Sequence, residues 1–335
     1  MVDACVAKGG KGKTGKTGKN KSSLKWTESQ YGSQRNFAVG TNILLDVAGL
    51  KGSNDQWPGV EGLLSGSCEM TREVGHQERG FSWGGDLRVK KAKLKGTGKC
   101  EAGSKNTHPR PVLLVSRESI VFNVYHVLTD VDMAYVSAHA GGLLSPQSGA
   151  GVEGTHREFD VVFLDDAMEG NGFGMWTAMA GGRAPLRASS LGSSDTPYCF
   201  PEIVFSIPSR SSFHYGWGLN PPCGESNMLQ DFAHAQVDGT PGLGGVRAAV
   251  AAKVKGKGNK SMEEVVEGVG TRKGRKLQLT FCVRKETGYG RRITNQKAVL
   301  AALKKELGPN VRVKGVDFGK LSWAEQVKTA AKTDM

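Results

Sequence analysis

Three groups of residues in this 335-residue chain have the types and spacing to do chemistry. The first is Asn123, His126 and Asp130, at i, i+3 and i+7 within NVYHVLTD, which share one face if the segment is helical. A carboxylate one turn beyond an imidazole orients the ring and favours its charged form, an arrangement suited to taking a proton from a hydroxyl. The same spacing describes a structural histidine satisfied by its own helix, and spacing alone favours that reading. The second group is RKETGYGRRITN, where Arg284, Arg291, Arg292 and Asn295 lie between an apolar strand-like run and a helix-like one. Guanidinium forks beside a helix N-terminus supply donors and positive potential at one point, which suits a diphosphate. A solvated basic loop accounts for them equally well. The third group is the carboxylate pairs Asp130-Asp132 and Asp165-Asp166, which could hold a divalent cation. Acidic residues at strand ends are also ordinary helix caps, so no metal is assigned.

Other patterns carry less. Gly10 to Thr17, GKGKTGKT, satisfies the spacing of a phosphate loop, but it lies in a Gly-Lys-Thr repeat with no buried strand before it and no helix after it. Gly149, Gly151 and Gly154 fit G-x-G-x-x-G yet precede a strand, the wrong order for a dinucleotide site. The cysteines at 5, 68, 100, 199, 223 and 282 form no C-x-x-C pair, which argues against structural zinc. Cys199 and Cys223 flank a Pro- and Gly-rich segment and could bridge in an oxidising compartment.

The elements that must position these residues become legible at Pro111. PVLLVS and SIVFN are apolar runs of strand length, Val124 to His139 has helical spacing, and DVVFLDDA and EIVFSI read as buried strands. The unbroken apolar core of Val161 to Leu164 suits a parallel strand covered on both faces. Further on, LQLTFCV is a strand, and TNQKAVLAALKKELGP is a helix with Val299, Leu300, Leu303 and Leu307 on one stripe and Gly308 at its stop. VRVKGVDF is a second strand, and Ser322 with Glu325 forms a capping box that opens a last helix. The order is β-α-β-α. Because a two-stranded parallel layer cannot bury both faces alone, a further strand is expected beyond Met335. The expected segments are a low-complexity basic tail over 1–23, an undefined region over 24–110, a Rossmann-like lobe over 111–245, a basic linker or insertion over 246–275, and a partial second lobe over 276–335.

Composition sets outer limits. Lys and Arg number 45 against 32 Asp and Glu, a formal charge of +13. The basic residues gather in blocks, Lys8 to Lys25, Arg88 to Lys99 and Arg272 to Lys276, without aromatic interleaving or a recognisable nucleic-acid module. Solvated tails and loops are favoured over specific nucleic-acid binding. No apolar run approaches the roughly 20 residues that cross a bilayer, so a soluble chain is expected. The N-terminus has no apolar stretch of signal-peptide length, which by itself points to the cytoplasm.

Taken in order, several blocks resemble glycosyltransferase family 61, most closely its EGF-domain-specific O-linked N-acetylglucosamine transferase branch. They are NVYHVLTDVDMAYVSAH, VVFLDD, GMWTAM, CFPEIVFSIPSRSSFHYGWG with the later Cys223, and RKETGYGRRITN through LSWAEQVKTAAKTDM. The resemblance spans about residues 111 to 335, outside the basic insertion. It implies an α/β, GT-B-like fold of two Rossmann-like lobes, the second incomplete. It also implies inverting transfer of N-acetylglucosamine from UDP-N-acetylglucosamine to a Ser or Thr of a protein acceptor such as an EGF-like domain, or to a glycan. On that basis Arg284, Arg291, Arg292 and Asn295 hold the donor diphosphate. His126 and Asp130 are catalytic, with His126 the base, and Asn123 is on the acceptor side. Cys199 and Cys223 match cysteines of that branch, a disulfide candidate, and the compartment is the lumen of the endoplasmic reticulum or Golgi. The family continues past a Thr-Asp segment like Thr333-Asp334 into a strand and a His-Gly-Ala-Gly-Leu motif. Without them, a catalytically inactive homologue acting as a basic binding protein is the alternative.

Overall fold

The computed structural model describes residues 2–3, 5–6, 22–26, 38–51, 63–66, 69–70, 89–91, 100, 103–117, 121–144, 158–170, 172–192, 196–207, 232, 235–236, 239–240, 276–283 and 295–334. The chain forms two units, Met1–Ala233 and His234–Met335. Both are mixed α/β.

The first unit is built on one sheet. Its parallel part follows from the order β8 (Val112–Val115), α2 (Val124–Ala140), β9 (Asp160–Phe163), α3 (Phe173–Met179) and β10 (Leu186–Arg187). β9 pairs in parallel with both β8 and β10. Every residue of β8 and β9 is buried, as their unbroken apolar sequences require of strands covered on both faces. On one face Val112, Leu114 and Val162 join a cluster with Val47 and Leu50 of α1 (Val47–Lys51) and with Ala188 and Leu191. On the other, Phe163 meets Trp176 of α3 edge-on at 5.0 Å, and α2 packs over β8.

β11 (Tyr198–Phe205) pairs in parallel with β8 on the edge opposite β9. The strand order therefore reverses at β8, placing a topological switch point between β8 and β11. Crevices at the carboxyl ends of strands at such a point are where α/β sheets collect ligands.

The sheet also crosses the expected break at 110/111. β4 (Ala38–Leu45) pairs antiparallel with β11 from Leu45↔Tyr198 to Ala38↔Phe205, and β3 (Ser23–Trp26) and β1 (Val2–Asp3) extend it further. β5 (Leu64–Gly66) joins β4 and also pairs with β7 (Val89–Lys91), while β2 (Cys5–Val6) and β6 (Glu69–Met70) form a separate pair. The undefined region thus supplies strands to the first lobe's own sheet. Its Gly- and Ser-rich composition hid β4, where Gly40 is needed because a Cβ there would lie 2.8 Å from Ile43 Cγ1.

SIVFN is likewise not the expected strand over its described residues. Val121 and Phe122 form a turn and Asn123 is the N-cap of α2, its side chain accepting from the Tyr125 N–H at 3.1 Å.

The second unit has the expected β-α-β-α order: β12 (Leu277–Cys282), α4 (Gln296–Glu306), β13 (Val311–Val316) and α5 (Trp323–Lys332). β12 and β13 are parallel, from Leu277↔Val311 to Cys282↔Val316. Gly315 lets Leu300 of α4 and Val283 approach the sheet, since a Cβ there would lie 3.0 Å from each. Ser322 and Glu325 close the capping box of α5. Past α5 the chain returns to β12. The Asp334 N–H donates to the Gln278 carbonyl at 2.8 Å, the Gln278 N–H donates to Asp334 Oδ2 at 3.0 Å, and the Thr280 and Thr333 hydroxyls pair at 2.6 Å. In a parallel pair alternate residues face opposite edges. Leu277 and Val283 donate towards β13, to Asn310 and Val316, so Gln278 turns to the other edge and β12 has neighbours on both.

Candidate functional site

Of the sequence-predicted residues, Asn123, His126 and Asp130 lie in the first unit and Asn295 in the second, each in the first half of a helix or at its start. In the first unit α2 leaves the carboxyl end of β8 with Asn123 as its cap, His126 half-buried in its first turn and Asp130 buried one turn on. The ring of Tyr125 meets that of His126 edge-on at 5.6 Å. The Thr129 hydroxyl donates to the His126 carbonyl at 2.8 Å. The structure therefore gives Asn123 a definite local task, holding the helix start that carries His126.

Below this helix start lies a buried ion pair absent from the sequence expectations. Arg117 follows β8 and Asp165 follows β9, so the adjacent parallel strands deliver them side by side. Arg117 Nε donates to Asp165 Oδ2 at 3.1 Å and Nη2 to Oδ1 at 2.5 Å. Nη2 also donates to the Ala167 carbonyl at 2.9 Å, and the guanidinium carbon stands 4.0 Å above the Phe163 ring. A planar fork with a bidentate carboxylate, carbonyl acceptors and an aromatic face satisfies a buried charge that would otherwise be very costly. Asp165, one of the carboxylates considered for a cation, is thereby committed to Arg117. Its neighbour Asp166 is exposed and accepts from the Ser189 hydroxyl. Among the described residues no group of three or more His, Cys, Asp or Glu could hold a metal ion. The available sequence signal was a charged residue closely following each buried apolar run, VLLV and VVFL.

The amino ends of the same strands hold a second buried cluster. His108 Nε2 lies 3.0 Å from Asp160 Oδ2 and its Nδ1 3.3 Å from the Tyr198 hydroxyl. Asp160 also accepts from Arg110 Nε at 3.0 Å and Arg183 Nε at 3.1 Å. Burial pushes His108 below its ordinary value, more than the Asp160 carboxylate raises it. Burial alone would raise Asp160, but the bonds from His108 and Arg110 outweigh it and hold the carboxyl below its ordinary value. A neutral ring that donates from Nε2 and accepts at Nδ1 satisfies both partners. This end of the sheet lies opposite the carboxyl ends of the strands, and the cluster reads as a structural clasp.

Beside it, Cys199 is bonded to Cys100. The expected Cys199–Cys223 pairing is therefore replaced, and Cys223 lies outside the described residues. The reason is backbone proximity. The Cys199 N–H donates to the Asn106 carbonyl at 2.7 Å and the His108 N–H to the Cys199 carbonyl at 2.8 Å, bringing the segment after Cys100 against β11 and the two Cα atoms to 5.5 Å.

In the second unit, Asn295 is the exposed N-cap residue of α4, and its side chain makes no cap hydrogen bond. Arg284, Arg291 and Arg292 lie outside the described residues, as do Gly10 to Thr17 and the glycines at 149, 151 and 154. What is fixed is the frame around the arginine run. It begins directly after Val283 at the carboxyl end of β12 and ends at the start of α4, and β12 is the strand with neighbours on both edges. In α/β sheets, a helix N-terminus following the carboxyl end of a strand is where anions commonly bind.

Residues 240–335 match the family Glycosyltransferase 61. The match covers β12, α4, β13 and α5, together with Arg284, Arg291, Arg292 and Asn295. Asn123, His126 and Asp130 lie outside it. No curated protein matches the chain at a significant level. The Glycosyltransferase 61 match supports a glycosyltransferase, a class that binds a sugar donor and an acceptor. No helix among the described residues is long and apolar enough to cross a membrane.

Proposed function

We propose that the protein is an inverting glycosyltransferase that moves N-acetylglucosamine from UDP-N-acetylglucosamine to a Ser or Thr hydroxyl of a protein acceptor, with two Rossmann-like lobes. The observation that carries this is the Glycosyltransferase 61 match over a unit whose β12 runs into Arg284 and whose α4 starts at Asn295. Arg284, Arg291 and Arg292 meet the donor diphosphate, and Asn295 with the first turn of α4 supplies neutral donors. His126 takes the acceptor proton as the hydroxyl oxygen bonds to the anomeric carbon and the bond to UDP breaks with inversion. Asp130 steadies the charged ring, and Asn123 fixes the helix start on the acceptor side. The compartment is the lumen of the endoplasmic reticulum or Golgi, a proposal supported by the Cys100–Cys199 disulfide, since such bonds persist where conditions are oxidising.

Calorimetry with UDP and UDP-N-acetylglucosamine tests the donor site. Arg284→Ala or Arg291→Ala should weaken UDP binding by about 1.5–3 kcal/mol, the scale of a hydrogen bond to a charged group. Absence of nucleotide binding, combined with nucleic-acid affinity that falls steeply with salt, would transfer the argument to the inactive basic binding protein.

A further inference from the structure

Four large apolar side chains stand out as exposed among the described residues: Phe122 (57%), Tyr125 (44%), Met168 (61%) and Leu186 (36%). Phe122 and Met168 sit on two adjoining connections at the carboxyl end of the first unit's sheet, β8 to α2 and β9 to α3, and Tyr125 stands in the first turn of α2 directly after the former. These connections touch through their backbones. Gly170 has φ +52°, and a Cβ there would lie 2.1 Å from the Val121 carbonyl oxygen. From beneath, Arg117 holds the second connection by the Ala167 carbonyl, at 2.9 Å. The exposed side chains therefore stand on a braced rim. Exposed apolar residues gathered in one place mark an interaction surface, whereas single scattered ones do not.

The rim's charge is opposite to that of the chain. Asp166 and Glu169 are both exposed on either side of Met168, and the nearby Arg117 is buried against Asp165. On a protein of net charge +13 this is an apolar and acidic surface. It repels a phosphate backbone. It complements a polypeptide that presents an apolar side chain next to a cationic one.

We propose that the rim of Phe122, Tyr125 and Met168, flanked by Asp166 and Glu169, docks a polypeptide segment carrying adjacent apolar and basic residues. Resting on the transferase reading, this segment flanks the acceptor hydroxyl, because Tyr125 directly precedes His126.

The test is fluorescence anisotropy on the full chain, without nucleotide, using two labelled heptapeptides, Gly-Leu-Lys-Ser-Leu-Lys-Gly and its counterpart with Glu for Lys. The Lys peptide should bind at least tenfold more tightly. Phe122→Ser with Met168→Ser should cost it at least tenfold, and Asp166→Lys with Glu169→Lys should reverse the preference, with thermal unfolding confirming that each variant is folded. Equal binding of the two peptides, no binding of either, or a preference that survives the charge reversal overturns the proposal. Failure of the donor site would appear as lost UDP binding with the peptide preference intact, so the two readings fail separately.

Discussion

His108 is surrounded by groups that leave it one comfortable protonation state. Its Nε2 faces Asp160, whose carboxylate is already shared with Arg110 and Arg183, and its pKa is held below the ordinary 6.5 by burial. The unfolded chain therefore binds a proton here that the folded chain does not, so stability is complete above about pH 6.5 and falls as the pH drops below it. Asp160, held below its ordinary 3.8, adds a second loss as the pH falls through its depressed folded value. Urea midpoints between pH 8 and 5 should decline in the wild type and decline less in His108→Gln. Gly170 makes a sharper claim, because its φ of +52° and the 2.1 Å approach of a Cβ to Val121 are backbone constraints that no rotamer can relieve. Gly170→Ala should destabilise the protein by more than about 1 kcal/mol in denaturant titrations. It should also loosen the apolar rim, read as faster amide exchange at Phe122 and Met168.

At the scale of elements, the two asparagines at helix starts differ in a way that sequence could not reveal. Asn123 caps α2 through its side chain, while Asn295 makes no such bond at α4. Asn123→Ala should cost about 1 kcal/mol of stability, and Asn295→Ala should cost markedly less while still weakening UDP binding. Comparing the melting temperatures of the two variants checks the first half, and calorimetry the second. In α5 the reciprocal bonds of Ser322 and Glu325 satisfy two orphan N–H groups, so Ser322→Ala should fray that helix and lower stability by about 1 kcal/mol. Hydrogen bonds from the Ser322 backbone and hydroxyl hold the Glu325 pKa below its ordinary value. The box is intact at neutral pH and weakens as acid protonates the carboxylate.

Across the whole molecule, the Cys100–Cys199 bond closes a sequence separation of 99 residues that includes β8, α2, β9, α3 and β10. Cross-linking so long a stretch stabilises chiefly by restricting the unfolded chain, so Cys199→Ser should cost about 2–5 kcal/mol. Cys223→Ser should leave this bridge in place, and peptide mapping under non-reducing conditions distinguishes the two pairings. What the sequence determined by itself is what depends on local pattern. The apolar runs of β8, β9, β12 and β13, the stripe and glycine stop of α4, and the capping box of α5 are written within windows of ten or so residues. The segment similar to Glycosyltransferase 61 is local in the same sense. Only the tertiary structure decided what depends on neighbours distant in sequence. β4 acquires its place from pairing with β11, Arg117 acquires its partner because parallel strands carry Asp165 beside it, and Cys199 meets Cys100 because the segment after Cys100 hydrogen-bonds to the start of β11. Residue type fixes what each group is able to bond. Strand register fixes which of those bonds lie within reach, and that is a property of chain segments many tens of residues apart.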